Sequence, residues 1–146
     1  MTIEDRALDG ATGSAAEHAR QYLKTDGAAV DHPAVGSLLL LYTTGRISGQ
    51  IRRAPLRFFE VDDDLVIVAS ARGSDTHPDW YINLLDEPNV WVRRDADFYE
   101  ASAVPIDGPE RHHLWETVIL ARAPQFADYQ AKTERILPLV RLIAKT

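Results

Sequence analysis

Four arginines, Arg46, Arg52, Arg53 and Arg57, lie within the stretch TTGRISGQIRRAPLR (43–57), and residues 37–59 contain no carboxylate. The whole chain carries 16 Lys and Arg against 22 Asp and Glu, a formal charge of -6, so this cluster runs against the overall balance. Cations about 5 Å apart repel by about 1 kcal/mol per pair even in bulk water, and an anion placed among them reverses the sign. Gly45 and Gly49 let the backbone approach a ligand closely. Ser48 and the loop N–H groups can donate to phosphate oxygens, and arginine can grip a phosphate or carboxylate bidentately. The chemistry is that of a phosphate or polycarboxylate clamp. It is not a P-loop, because no G-x-x-x-x-G-K-[ST] is present. The same residues also suit a plain hairpin loop whose arginines solvate a strand, and at this point both readings stand.

Arg72 and Gly73 repeat the theme on a smaller scale, just after the apolar run LVIVAS (65–70). Trp80 and Tyr81 follow within DWY, where core packing is the competing use of the rings. Taken together, these parts suit a ligand with a charged tail and a flat ring. His77 precedes the aromatic pair and is placed either against that ligand or at the surface. The other histidines are His18, His32, His112 and His113. The last two are adjacent, about 100° apart on a helix, which is poor ligand geometry, and no H-E-x-x-H occurs, so no metal site is expected. The chain has no cysteine, which removes disulfides and thiolate sites. No G-x-S-x-G supports acyl transfer.

The elements that must position these residues are short. Ser14 and Glu17 fit a capping box at the start of a helix that ends near Thr25, with Gly27 just beyond. LLLLY (38–42) suits a strand buried on both faces. RAPLRFFEV (53–61) is a second strand, and its Pro55 demands an edge position or a bulge. Asp62–Asp64 make a solvated turn into LVIVAS, so three consecutive strands form an antiparallel meander. Asp79 is expected to cap a short helix that Pro88 stops. NVWVRR (89–94) and DFYEASAVPI (97–106) read as a hairpin turning at Asp95 and Ala96. Asp107, Pro109 and Glu110 open a further helix with a D-x-x-E box and an apolar stripe of Leu114, Trp115, Val118 and Ile119. ILPLVRLIA (136–144) is the last strand. The order lacks a βαβ rhythm, which speaks against a doubly wound sheet. The expected fold is mainly β with flanking helices (α+β), a small antiparallel barrel of about six strands.

A chain of 146 residues, 45% hydrophobic, makes one domain; residues 1–13 are expected to be a disordered tail and 14–146 the folded unit. The acidic balance argues against nucleic acid as a partner. The N-terminus lacks the apolar segment of a signal peptide, and LLLL (38–41) is too short to span a bilayer, so the expected location is cytoplasmic.

The strings LLLLYTTGRISGQIRRAPL, LVIVAS, HPDWYINLLDEPNV and PQFADYQAKTERILPL resemble, in order and spacing, the deazaflavin-dependent nitroreductase family of actinobacteria over roughly residues 36–138. The resemblance implies a split β-barrel of the flavin-reductase or FMN-binding type. It also implies coenzyme F420, an 8-hydroxy-5-deazaflavin with a phospholactyl-oligoglutamate tail, which would answer the arginine cluster. On this resemblance Arg46, Ile47 and Ser48 line the phosphate end. Arg52, Arg53, Ala54, Pro55, Leu56 and Arg57 lie beneath tail and ring, with Arg72 and His77 as further contacts. Val68, Ala69, Ser70 and Ala71 run along the ring edge, and Trp80, Tyr81, Ile82 and Asn83 meet the deazaflavin and its ribityl arm. Tyr129 stands at the mouth of the site, with Phe126 beside it on the substrate side; the proton donor is expected to be Tyr129 or else bulk water. The chain departs from the family pattern at Ile47, where a lysine is usual, and at Ala54, where an asparagine is.

The function implied is hydride transfer from reduced coenzyme F420 to a small acceptor, a quinone, nitroaromatic or enone. Peripheral membrane contact is expected if the acceptor is a quinone, and the assembly is a monomer or homodimer. The alternatives are an FMN-binding split-barrel oxidoreductase, which needs fewer cations, and a non-enzymatic F420 carrier.

Overall fold

The computed structural model describes residues 2–9, 14–25 and 37–145. Six strands close into an antiparallel barrel: β2 (Leu38–Thr44), β3 (Ile51–Val61), β4 (Asp64–Val68), β5 (Asn89–Arg94), β6 (Asp97–Ile106) and β7 (Leu139–Ala144). Around the ring the order is β3-β2-β5-β6-β7-β4, and β4 pairs back onto β3. The meander β2–β3–β4 and the hairpin β5–β6 form as their sequences predict. Asp62 and Asp95 turn these hairpins with φ of 56° and 55°, a region that Asp tolerates better than most residues.

The run LLLLY is apolar on both faces because both faces are covered. Leu39 and Leu41 point into the barrel, against Phe58, Ile67, Val92 and Leu142. Leu40 and Tyr42 point out, under Ala19 and Tyr22 of α2 (Ser14–Thr25). Full burial of each leucine contributes about 2 kcal/mol. On the opposite outer wall, Phe59, Val66, Val68 and Leu139 are covered by a helical layer. That layer runs through α4 (Gly108–Leu114), a π-helical turn (Trp115–Ile119), α5 (Leu120–Arg122) and α6 (Phe126–Ala131). The expected stripe of Leu114, Trp115, Val118 and Ile119 faces this wall.

Several local expectations are corrected. Residues 2–9 are not a featureless tail: Thr2 and Asp5 form a capping box on α1 (Ile3–Arg6), and β1 (Leu8–Asp9) pairs in parallel with Arg52–Arg53 of β3. Asp79 does not cap its helix α3 (Asp79–Asp86); Pro78 holds the cap position, and the Asp79 carboxylate turns to Arg46. Asp107 makes no side-chain cap, and Glu110 pairs with Arg141 at 3.6 Å instead of closing a box. LVIVAS leaves the strand after Val68, and the last strand begins only after Pro138. The Ser14 side chain and Gly27, on which the capping of α2 rested, lie outside the described residues, as do the His18 side chain and His32. No described helix is long and apolar enough to cross a membrane.

Pro55 has a physical place. One edge of β3 pairs along its length with β2, Pro55 opposite Leu40. The other edge pairs with β1 at 52–53 and with β4 at 58–61. Between those two contacts, residues 54–57 have no strand partner on that side among the described residues, so the missing N–H of proline costs no ladder bond there.

Candidate active site

The open stretch of β3 is the floor of a cavity of about 910 Å³. Its walls are the β2–β3 loop, the corner after β4, the first turn of α3 and the start of α6. The β2–β3 loop is closed by its own backbone: Gly45 donates to Gln50 at 2.7 Å and Gly49 to Gly45 at 2.8 Å. Gly49 sits at φ 73°, where a side chain would be strained. Asn83, buried in α3, fixes the loop from behind. Its Oδ1 accepts from the Arg46 backbone N–H at 3.2 Å and from Nη1 at 2.8 Å, and its Nδ2 donates to Thr43 at 3.3 Å.

Five arginines line the cavity, Arg46, Arg52, Arg53, Arg57 and Arg72, against one carboxylate, Asp79. Two are already paired: Arg46 with Asp79 at 3.3 Å, and Arg53 with Asp9 at 2.8 Å. The other three have no carboxylate partner among the described residues. Arg57 lies over the Phe59 ring at 5.0 Å, donates to the Arg122 carbonyl at 3.5 Å, and keeps a buried Nε with no partner. Burial lowers its pKa. A buried donor left unsatisfied costs on the order of 1–3 kcal/mol.

Apolar lining is supplied by Leu38, Pro55, Leu56, Val68, Trp80 and Phe126. Phe126 meets Phe59 and Tyr129 edge to face at 5.9 and 5.5 Å, and Lys132 Nζ stands 5.8 Å from the centre of the Tyr129 ring. Charge at one side and flat apolar surface at another suit a ring with an anionic tail.

The cavity gathers most of the residues singled out from the sequence: Arg46, Ile47, Ser48, Arg52 to Arg57, Val68, Ser70, Ala71, Arg72, Trp80, Asn83, Phe126 and Tyr129. Four lie outside its lining. Ala69 is fully buried behind it. Ile82 is on α3 but is not part of the lining. Tyr81 packs against the barrel core, as Trp80 also does, and meets the His77 ring at 4.8 Å, tilted by 52°. His77 itself approaches Arg135 at 3.1 Å, and burial, then Arg135, lowers its pKa. Sequence reasoning missed Leu38, Thr43, Gly45, Pro78, Asp79 and Gln125 as lining residues. Only Gly45, through its spacing from Gly49, had carried a signal. No group of three or more metal-ligating side chains occurs among the described residues.

These features define a class: a split β-barrel oxidoreductase of the flavin-reductase type, with a cavity built for an anionic cofactor. The family model of F420H(2)-dependent quinone reductases matches residues 14–143. An F420H(2)-dependent quinone reductase of Mycobacterium tuberculosis (strain ATCC 25618 / H37Rv) is 33% identical over 112 residues, 75% of either chain. A solved F420-H2 dependent reductase superposes with a TM-score of 0.66 at 33% identity, covering 77% of this chain and 96% of the other. Another solved chain, described as a domain-swapped dimer, gives 0.67 at 33% identity, covering 86% and 94%. The chain belongs to the F420H(2)-dependent quinone reductase family; it is an oxidoreductase, and its cofactor is coenzyme F420. The FMN and carrier alternatives are thereby set aside.

Proposed function

We propose that the protein transfers a hydride from reduced coenzyme F420, held in the cavity over β3, to a quinone, and that nitroaromatics and enones of suitable size are accepted in the same way. The observation that carries this reading is the cavity lining: three arginines without carboxylate partners among the described residues, beside an apolar and aromatic wall. The cofactor, when bound, supplies the hydride from its C5; the protein supplies position and electrostatics.

Arg52, Arg57 and Arg72 hold the anionic groups of the tail, assisted by Ser48 and the loop N–H groups around Gly49. Arg46 is held in place by Asn83 and Asp79 and exchanges part of its ion pair for the tail. Trp80, Pro55, Leu56 and Val68 provide the apolar bed for the ring. Phe126 and Tyr129 face the acceptor. Tyr129 donates the proton that completes reduction of a quinone to the hydroquinone, since hydride plus one proton balances the two-electron change. Ile47, 92% exposed at the rim, gives the mouth an apolar point that suits delivery of a lipophilic quinone from a membrane surface. A relative that is a domain-swapped dimer supports the homodimer over the monomer.

Titration of the purified protein with coenzyme F420 and with FMN, followed by reduction of a soluble naphthoquinone, tests this reading. Tight binding of F420 with no turnover of any quinone overturns the activity, and binding of FMN alone overturns the cofactor assignment. Arg52→Ala is expected to weaken F420 binding by at least about tenfold, because a charge-assisted hydrogen bond contributes about 1.5–3 kcal/mol. The same variant leaves the affinity for an analogue lacking the glutamates nearly unchanged. Rising salt should weaken F420 more than that analogue, since screening acts over about 8 Å at physiological ionic strength. Equal salt slopes for the two ligands remove the tail from the arginines.

A further inference from the structure

One arginine that does not line the cavity is bonded to the part of its wall that holds two consecutive left-handed residues. Arg135 follows α6, and its guanidinium reaches three carbonyls of the corner after β4, on either side of Ala71–Gly73. Nη1 donates to Ala69 at 2.9 Å, Nη2 to Ser70 at 2.8 Å and Nε to Ser74 at 2.9 Å. The second Nη1 hydrogen faces His77 Nδ1 at 3.1 Å. A guanidinium only donates, so Nδ1 accepts and the imidazole carries its proton on Nε2.

The carbonyls bracket two consecutive non-glycine residues in the left-handed region, Ala71 at φ 45° and Arg72 at φ 54°. Such a pair persists only where the surroundings over-determine it. The corner's own bonds are two, Gly73 N–H to Ser70 at 2.8 Å and Ser74 N–H to Ala71 at 3.0 Å. On its far side the corner is pressed against α6, where a Cβ on Gly73 would stand 2.5 Å from the Tyr129 carbonyl oxygen. The corner therefore carries Arg72 on one wall and touches the backbone of Tyr129 on another.

We infer that Arg135 is a positioning residue for the active site: its guanidinium fixes the left-handed Ala71–Arg72 corner and thereby sets Arg72 and Tyr129 in place together. The inference rests on the cavity being the cofactor site, but the corner can be examined without any ligand. Arg135 is 66 residues from Ala69 and 65 from Ser70 in sequence, so it reaches the site from a distance that local turn propensity does not span.

The test is amide hydrogen exchange at Gly73 and Ser74 in the free protein, with fluorescence titration of coenzyme F420, for Arg135→Ala, Arg135→Lys, Ala71→Gly and the double variant Arg135→Ala/Ala71→Gly. Arg135→Ala is expected to speed exchange at both amides by at least about tenfold as the corner opens locally, with β5 and β6 amides unchanged, and to weaken F420 by a similar factor. Lysine, a point charge with three donors, cannot span four acceptors, so Arg135→Lys falls between alanine and wild type. Glycine adopts positive φ without strain, so the double variant, referred to Ala71→Gly because Ala71 itself lines the cavity, loses at least about threefold less affinity than Arg135→Ala loses from wild type. A merely structural arginine gives no such rescue. Unchanged exchange at Gly73 and Ser74 in both Arg135 variants overturns the inference, as does an identical effect of Ala71→Gly with and without Arg135. If Arg135→Ala does not fold, the lysine variant decides through the same two amides. If wild type does not bind F420, the cofactor reading fails while the exchange measurements still decide the role of Arg135 in the corner.

Discussion

Gly73→Ala lowers the unfolding free energy by about 3 kcal/mol, the sum of the left-handed penalty for an L-residue and the cost of an overpacked contact. Gly73 stands at φ 84°, and its Cβ would lie 2.5 Å from the Tyr129 carbonyl oxygen, 3.1 Å from the Tyr129 Cα and 3.0 Å from the Lys132 Cβ. Two of these atoms are backbone, so α6 itself has to move. For a chain of this size the loss corresponds to a fall in Tm of roughly 10 °C. Gly49→Ala is the internal comparison. Its φ of 73° imposes the same kind of strain, but no atom lies within 4 Å of the added Cβ, so it costs only about 1 kcal/mol. Thermal unfolding of both variants, followed by circular dichroism, separates strain from collision. Equal shifts in Tm would mean that the corner and α6 do not pack as described.

Tyr129→Phe lowers quinone turnover by about 10²-fold, the size expected for loss of a general acid, and leaves F420 affinity nearly unchanged. The ring is kept, and with it the edge-to-face contact to Phe126 and the Lys132 cation above the ring; only the hydroxyl at the cavity wall is lost. Single-turnover oxidation of pre-bound reduced cofactor isolates the step. A phenylalanine variant with full rate on every quinone tested removes Tyr129 from the reaction and leaves solvent as the proton source. A fall in affinity with surviving turnover makes its hydroxyl a binding contact.

Both experiments bear on the same narrow region, where the β4 corner meets α6, and this is where sequence reasoning had least to work with. The arginine cluster was legible because its charge contradicts the composition of the chain. Trp80 and Tyr81 were legible as a pair, but which of them faces the ligand was not, since neighbouring residues on a helix point about 100° apart and nothing local says which direction is the core. Both rings pack against the barrel core, and only Trp80 also lines the cavity. Asp79 and Asp107 carried cap signals of the usual type, yet Asp79 found Arg46, 33 residues away, and Asp107 makes no side-chain cap. A carboxylate near the protein surface takes whichever cation the fold brings within reach, and a local motif does not register that competition.

The sequence by itself determined the local elements: the strands from their apolar runs, the hairpins from Asp62 and Asp95, the break in pairing from Pro55, and the excess of positive charge between β2 and β3. These follow from side-chain period, backbone dihedral limits and composition, all of which act over a few residues. The tertiary structure alone decided which charges remain available. Ring closure through β4–β3 and β4–β7 leaves residues 54–57 open as a floor, β1 brings Asp9 to Arg53 across 44 residues, and the chain returns after α6 to set Arg135 on the Ala69–Ser74 carbonyls. Such pairings depend on strand order and closure, because ion pairs and hydrogen bonds form by distance in space, and one sequence pattern is compatible with many distances until the barrel closes.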